Sequence, residues 1–292
     1  MTHTVAALYQ FTPLPDADSL VGPLQALCDG LRLTGTLLLA REGINGTVAG
    51  EGAAIDAFLA ALRTGPLLGG RLDALECKLS RAEAPPFRRM KVKLKPEIVT
   101  FDAGATDPTG DVGNRVAPED WNALLDRPGL RLVDTRNAFE VALGSFAGAE
   151  DPGLARFSDF RAYADALDPA DQPEIALFCT GGIRCEKAGA YLRGRGFATV
   201  HLLQGGILKY LETVPEAESR WRGDCFVFDG RIALGHGLGE RPDHPPEALR
   251  SPPGAIPSLP EAQLALPEAQ LALPGAQLAL PGDRLALPGD RR

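Results

Sequence analysis

The sequence predicts an α/β protein built as a small α+β domain, then a parallel-sheet α/β domain, then a low-complexity tail. Three observations carry this. Residues 1 to 95 show strand and helix signals in the order β-α-β-β-α-β, residues 118 to 220 alternate short apolar strands with helical segments, and from Pro260 a proline recurs every seventh residue. The 292 residues, 45% of them apolar, are enough to supply two cores.

In the first domain Val5 to Phe11 alternates as a half-buried strand, and Asp18 to Leu31 repeats its apolar side chains at helical spacing. Thr34 to Ala40 and Gly46 to Ala49 read as two strands joined by Arg41-Glu42-Gly43-Ile44-Asn45. A second helix is expected over Ala53 to Arg63, followed by strands near Leu72 to Leu79 and Val92 to Leu94. That order is the ferredoxin-like motif. Residues 96 to 117, rich in Pro, Gly, Asp and Thr, read as a linker.

The second domain, residues 118 to 220, opens with a short helix at Trp121 to Leu125 and a buried strand at Leu130 to Asp134. A helix over Phe157 to Leu167, a strand over Ile175 to Phe178, a helix over 186 to 195, a strand over Ala198 to Leu203 and a helix over Ile207 to Val214 complete it. Such alternation implies a parallel sheet with helices on both faces, whose ligands bind at the carboxyl ends of the strands. Residues 221 to 240 form a C-terminal extension. Residues 241 to 292 carry the heptads that begin at Pro260, Pro267, Pro274 and Pro281, with a remnant from Pro288. A proline in every second turn costs a helix about 3 kcal/mol each time, so this segment reads as a disordered tail.

The carboxyl end of the strand at 175 to 178 carries Phe178-Cys179-Thr180-Gly181-Gly182-Ile183-Arg184-Cys185-Glu186-Lys187-Ala188-Gly189. Here a cysteine sits at a strand-to-helix junction, and the glycines allow amides of residues 180 to 185 to curl around its sulfur. Unpaired amides and a helix N-terminus favour negative charge, so Cys179 is expected to be a thiolate nucleophile. Arg184 closes a Cys-x4-Arg loop of six residues, one shorter than the Cys-x5-Arg loop of cysteine phosphatases, and Phe178 stands where many of those enzymes have His. The smaller ring suits a single sulfur atom and resembles the loop of rhodanese sulfurtransferases. Thr180, Gly181 and Gly182 support the loop, and Cys185 either resolves an oxidised Cys179 or packs at the helix start.

The net charge of −8 argues against a generally basic surface, but Lys78, Arg81, Arg88, Arg89, Lys91, Lys93 and Lys95 face one acid, Glu83, between 78 and 95. Lys91, Lys93 and Lys95 along a strand would share one face and suit successive phosphates, with Arg88, Arg89 and a stacking Phe87 beside them. Five cysteines with irregular spacing, and no charged-then-apolar leader, point to reduced thiols and a cytoplasmic location. No apolar run approaches the eighteen or so residues of a membrane span. No metal site is expected, because neither cysteine nor histidine spacing offers one, and no dinucleotide fingerprint follows the first strand.

Three further segments resemble rhodanese elements: Val133-Asp134-Thr135-Arg136-Asn137-Ala138-Phe139-Glu140, Gly144-Ser145-Phe146-Ala147-Gly148-Ala149 and Leu203-Gln204-Gly205-Gly206-Ile207. In this order around Cys179 they predict a rhodanese-like second domain, with Asp134 and Arg136 positioning the loop. Four strings, Arg41 to Thr47, Pro86 to Lys93, Cys179 to Lys187 and Gly223 to Asp229, resemble the rhodanese-like tRNA uridine hydroxylases over residues 4 to 240. The resemblance implies an oxidoreductase, monooxygenase-like, that uses molecular oxygen as co-substrate and hydroxylates C5 of the wobble uridine in a tRNA anticodon loop. Many members carry a longer cysteine-containing segment after the region matching 225 to 240, whereas here no cysteine follows Cys225. No resident cofactor is evident. Cys179 would add to C6 of the uridine, with Arg184 and the loop amides holding the charge. The alternative is a sulfurtransferase that carries a persulfide on Cys179.

Overall fold

The structure, a computed structural model, describes residues 2–171 and 174–241. The tail expected over 241 to 292 therefore lies, apart from Arg241, outside the described residues.

The first domain contains β1 (His3–Phe11), α1 (Ala17–Gly30), β2 (Thr34–Ala40), β3 (Gly43–Gly50), α2 (Gly52–Thr64), β4 (Glu76–Ala82) and β5 (Met90–Leu94). Its sheet runs β4-β1-β3-β2-β5, antiparallel except for β5 beside β2. The first four strands thus keep the ferredoxin-like order, and β5 extends the β2 edge. Both helices cover one face: Leu20, Leu24 and Cys28 of α1 and Ile55, Phe58, Leu59 and Leu62 of α2 pack on Ala6, Leu8, Leu37, Leu39, Ile44 and Val48. Alternation along the strands sends the intervening residues to the other face. Met90 and Val92 pack toward the helices, so Lys91 and Lys93 share the helix-free face with Tyr9 and Lys78.

Two boundaries differ from expectation in this domain. Gly43, Ile44 and Asn45 pair with Ala40, Leu39 and Leu38, which shortens the expected five-residue connection to Arg41-Glu42. The strand expected from Leu72 begins at Glu76, because Leu68, Leu72 and Leu75 drop into the core from a run of turns.

The second domain contains β6 (Asn114–Val116), α3 (Pro118–Leu125), β7 (Arg131–Asp134), α4 (Ala138–Val141), β8 (Gly144–Phe146), α5 (Phe160–Asp165), β9 (Glu174–Phe178), α6 (Ile183–Gly194), β10 (Thr199–Leu203) and α7 (Gly206–Thr213). A parallel sheet runs β6-β10-β9-β7. Ala176 and Phe178 of β9 pack with α3 and α7, while Ile175 and Leu177 pack with α5 and α6, so helices cover both faces as expected. The expected linker contributes β6 to this sheet. The helix expected from Phe157 opens as a 3-10 turn at Phe157–Asp159 before α5.

The extension adds β11 (Trp221–Gly223), paired with β8, and the hairpin β12 (Cys225–Phe226) with β13 (Ala233–Leu234). Its tip reaches the first domain. Arg231, fixed by Asp229 at 2.6 Å, donates to Ser80 Oγ at 2.7 Å, and the Gly230 amide donates to the Pro86 carbonyl at 3.1 Å.

Candidate active site

Cys179 follows β9 at the carboxyl end of the parallel sheet. α6 begins at Ile183, three residues before the expected Glu186, which places Arg184 and Cys185 in its first turn. Gly182 enters this helix with φ of 102°, a left-handed conformation that an L side chain rarely adopts. A Cβ there would lie 2.9 Å from the Tyr9 hydroxyl. α7 clamps the loop from beneath: the Ile207 amide donates to the Cys179 carbonyl at 2.9 Å and the Leu208 amide to that of Thr180 at 3.0 Å. Gly206 permits this approach, since a Cβ would meet the Cys179 oxygen at 2.5 Å.

Cys179 is fully buried. Its sulfur accepts the Gly182 amide at 3.1 Å and hydrogen bonds from the amide and thiol of Cys185. Burial pushes the Cys179 thiol up, but the Cys185 thiol, the Arg184 charge and these two amides outweigh it and bring the pKa down to about 5. Burial and the adjoining Cys179 hold the Cys185 thiol well above its ordinary value. The pair is therefore split into a thiolate and a thiol donor.

Arg184 acts on the sulfur through its charge, while its guanidinium is held by Glu140 and Thr180. Its Nη1 and Nη2 lie 2.6 and 2.7 Å from the two carboxylate oxygens of Glu140, and Nη2 lies 3.2 Å from Thr180 Oγ1, whose hydroxyl bonds to the same carboxylate. Burial would neutralise Glu140, yet Arg184 holds its pKa below the ordinary value. Asp134 and Arg136, both fully buried, form a two-pronged pair at 2.9 and 2.7 Å, and Arg136 also donates to the Gly144 carbonyl. They secure the segment that carries Glu140, and so reach the loop through Glu140 and Arg184. The Thr135 amide and hydroxyl both donate to the Phe178 carbonyl at 3.0 Å, which ties β7 to the residue before Cys179.

The first domain closes over this loop from its helix-free face. Lys78 Nζ donates to the Gly181 carbonyl at 2.7 Å and stands 5.0 Å above the Tyr9 ring. The Tyr9 hydroxyl donates to Glu186 at 2.8 Å, and Arg115 bonds the other oxygen of that carboxylate at 3.1 Å. Lys78 was counted with the surface cations from sequence, but it is 5% exposed, with Glu76 at 3.8 Å as its acid. Burial lowers its pKa, opposed by Glu76 and Cys179. Lys187, also fully buried, meets Glu97 at 2.6 Å and Glu42 at 3.0 Å, which joins α6 to the linker and to the β2–β3 turn.

The other expected binding residues fall elsewhere. Phe87 is half-buried against Val5, Ala49 and Ala82, which takes up its ring in packing. Arg88 and Arg89 are exposed, and Lys91 and Lys93 half-buried. β5 lies at the opposite sheet edge from β4, four strand spacings or about 19 Å from the Lys78 edge. Among the described residues no cluster of three or more His, Cys, Asp or Glu is arranged to hold a metal, and no helix is long and apolar enough to cross a membrane. Sequence reasoning missed Glu140, Tyr9, Glu186 and Lys187 as contributors. Glu140 carried a signal as the last residue of the Asp-x-Arg-x-x-x-Glu string, and Glu186 and Lys187 as the end of the Cys179 to Lys187 string, whereas Tyr9 carried none.

Residues 3–98 match the UPF0176 acylphosphatase like domain, and residues 117–213 the Rhodanese-like domain. A tRNA uridine(34) hydroxylase of Nitrobacter hamburgensis is 63% identical over 237 residues, covering 81% of this chain and 93% of that protein. One of Bradyrhizobium diazoefficiens is 61% identical over 238 residues, again 81% and 93%. One of Caulobacter vibrioides is 52% identical over 245 residues, covering 81% of this chain and 76% of that protein. With both domains matched in order and relatives this similar across them, the chain belongs to the tRNA uridine(34) hydroxylase family.

Proposed function

We propose that the protein hydroxylates C5 of the wobble uridine in a tRNA anticodon loop, with Cys179 as nucleophile and molecular oxygen as co-substrate. The observation that carries this reading is the Cys179 loop: a depressed thiol fed by Cys185 and Gly182, with cations from both domains, Arg184 and Lys78, held against it. The thiolate attacks C6, an S–C6 bond forms, and the C5=C6 electron pair moves onto C5 and the O4 enolate. C5 then reacts with oxygen. One oxygen atom stays on C5, and the other leaves as water with two electrons and two protons from an external two-electron donor. Loss of the C5 proton and cleavage of S–C6 restore the double bond and the thiolate.

The helix-free face of the first domain supports an RNA substrate. It carries Lys91 and Lys93 toward its β5 edge, Arg88 and Arg89 are exposed just before that strand, and its other edge holds Lys78 on the Cys179 loop. The exposed arginines and the half-buried Lys91 and Lys93 suit phosphates, in a chain whose net charge is −8 with them counted.

The decisive measurement is mass spectrometry of tRNA from cells whose sole copy carries Cys179→Ser. It should show loss of 5-hydroxyuridine at the wobble position. Retained modification, together with thiosulfate:cyanide turnover by the purified wild-type protein, would assign Cys179 to sulfur transfer instead.

A further inference from the structure

Beside the Cys179 loop the C-terminal extension brings aromatic rings to the surface. Phe226 and Phe228 stand edge to face with centroids 4.9 Å apart, and Phe139 meets them edge to face at 5.2 and 6.5 Å. Phe226 is buried, whereas Phe139 is 37% and Phe228 55% exposed. Large apolar groups kept in water next to a polar catalytic loop mark a binding surface. Phe139 immediately precedes Glu140, the carboxylate that grips Arg184 and Thr180. Phe139 is thus covalently continuous with a residue that shapes the nucleophile's loop, and Phe226 and Phe228 pack on it.

The same hairpin fixes its rings next to cations. Arg231 and Gly230 bond to Ser80 and Pro86, and Arg88 and Arg89, two and three residues after Pro86, are exposed. An exposed aromatic pair joined to exposed arginines matches an unpaired nucleotide, which presents a π-face and a phosphate together. A second copy of the chain is the poorer fit, because it would set these arginines against their own counterparts.

We propose that Phe228, braced edge to face by Phe139, forms a stacking platform for an unpaired base of the substrate RNA, adjacent to the base that reacts at Cys179, with Arg88 and Arg89 on neighbouring phosphates. The proposal rests on the tRNA-modifying function above. It replaces Phe87, whose ring is packed against Val5, Ala49 and Ala82, as the source of the stack.

The test uses the full-length protein and an anticodon stem-loop carrying 2-aminopurine next to the wobble uridine. Binding of wild type should quench the fluorophore. Phe228→Ala and Phe228→Leu should each weaken binding roughly tenfold and remove the quench, Phe228→Trp should restore both, and Phe139→Ala should act like Phe228→Ala. Near-UV circular dichroism checks that each variant is folded. Unchanged affinity in the Phe139→Ala, Phe228→Ala double variant overturns the proposal. So does Leu performing as well as Trp, which would mean apolar contact without stacking, or altered self-association with RNA binding intact, which would make a second copy the occupant. If wild type itself neither binds nor hydroxylates the stem-loop, the underlying function fails, and that outcome is read before any variant is compared.

Discussion

At the residue scale the site turns on how one loop separates two thiols. Cys179 and Cys185 are equally buried and both feel the Arg184 charge, but Cys179 accepts hydrogen bonds from the Gly182 and Cys185 amides and the Cys185 thiol, whereas Cys185 keeps its proton, donates it as a hydrogen bond and sits against the Cys179 anion. Iodoacetamide should therefore modify Cys179 at pH 6 with a rate that is half-maximal near pH 5. Cys185, held up, and Cys28 and Cys225, both pushed up to about 12 by burial, should stay unmodified, as peptide mass mapping would show. A rate that rises only above pH 8 would contradict the assignment. Cys185→Ala removes the thiol donor, and Lys78→Met removes the ammonium on the Gly181 carbonyl. Each should move the midpoint up by about one pH unit, and Lys78→Arg should move it less. The Cys179 loop was readable in the sequence because strand, glycines and helix adjoin along the chain. The role of Glu140 was not, since its partner Arg184 lies 44 residues away and only folding brings them together.

At the element scale α6 departs from the usual amphipathic pattern. It buries Arg184, Cys185 and Lys187 beside Ala188 and Leu192, so polar residues that normally mark a solvent face lie inside. This is also why its start was misplaced at Glu186: Arg184 and Cys185 read as loop until Gly182 supplies the left-handed turn into the helix. Lys187 is the joint that α6 shares with Glu42 and Glu97. Lys187→Met leaves two carboxylates without their cation and should cost about 3–5 kcal/mol by urea unfolding, and adding Glu42→Gln and Glu97→Gln should recover part of the loss. Acid should act on the same joints. Glu97 and Glu140 are both depressed in the folded protein, burial opposing and their cations prevailing, so the stability they contribute is present above the ordinary glutamate pKa and is lost as pH falls through their folded values. The urea midpoint should fall with pH below about 4.5, the ordinary glutamate value, and Glu140→Gln, less stable at pH 7, should show a shallower fall.

At the scale of the whole molecule, period-two alternation told which residues share a face of the first sheet but not that a second domain covers part of that face. Lys78 therefore read as a surface cation, although it is buried on the Cys179 loop together with Tyr9. The arrangement means that the nucleophile is reached only when this cover moves. Cys179 has no exposed surface, the Tyr9 hydroxyl sits over Gly182 and bonds to Glu186, and α7 seals the loop from beneath. Reactivity should then be the product of two independent factors, the thiolate fraction set by the loop and the open fraction set by the domain contact. A small reagent such as iodoacetamide and a bulky maleimide-dye conjugate should share one pH midpoint, while the bulky reagent reacts much more slowly. Tyr9→Ala removes the hydroxyl over Gly182 and the bond to Glu186, so it should narrow the gap between the reagents and leave the midpoint near that of wild type. Equal rates for both reagents in the wild-type protein would show that the cover does not limit access. A midpoint shift in Tyr9→Ala as large as that in Lys78→Met would show that Tyr9 acts on the thiolate itself. Between those outcomes, the base that reaches Cys179 must displace Tyr9 or part the sheet from the loop, and saturating anticodon stem-loop should slow both reagents by occupying the opened site.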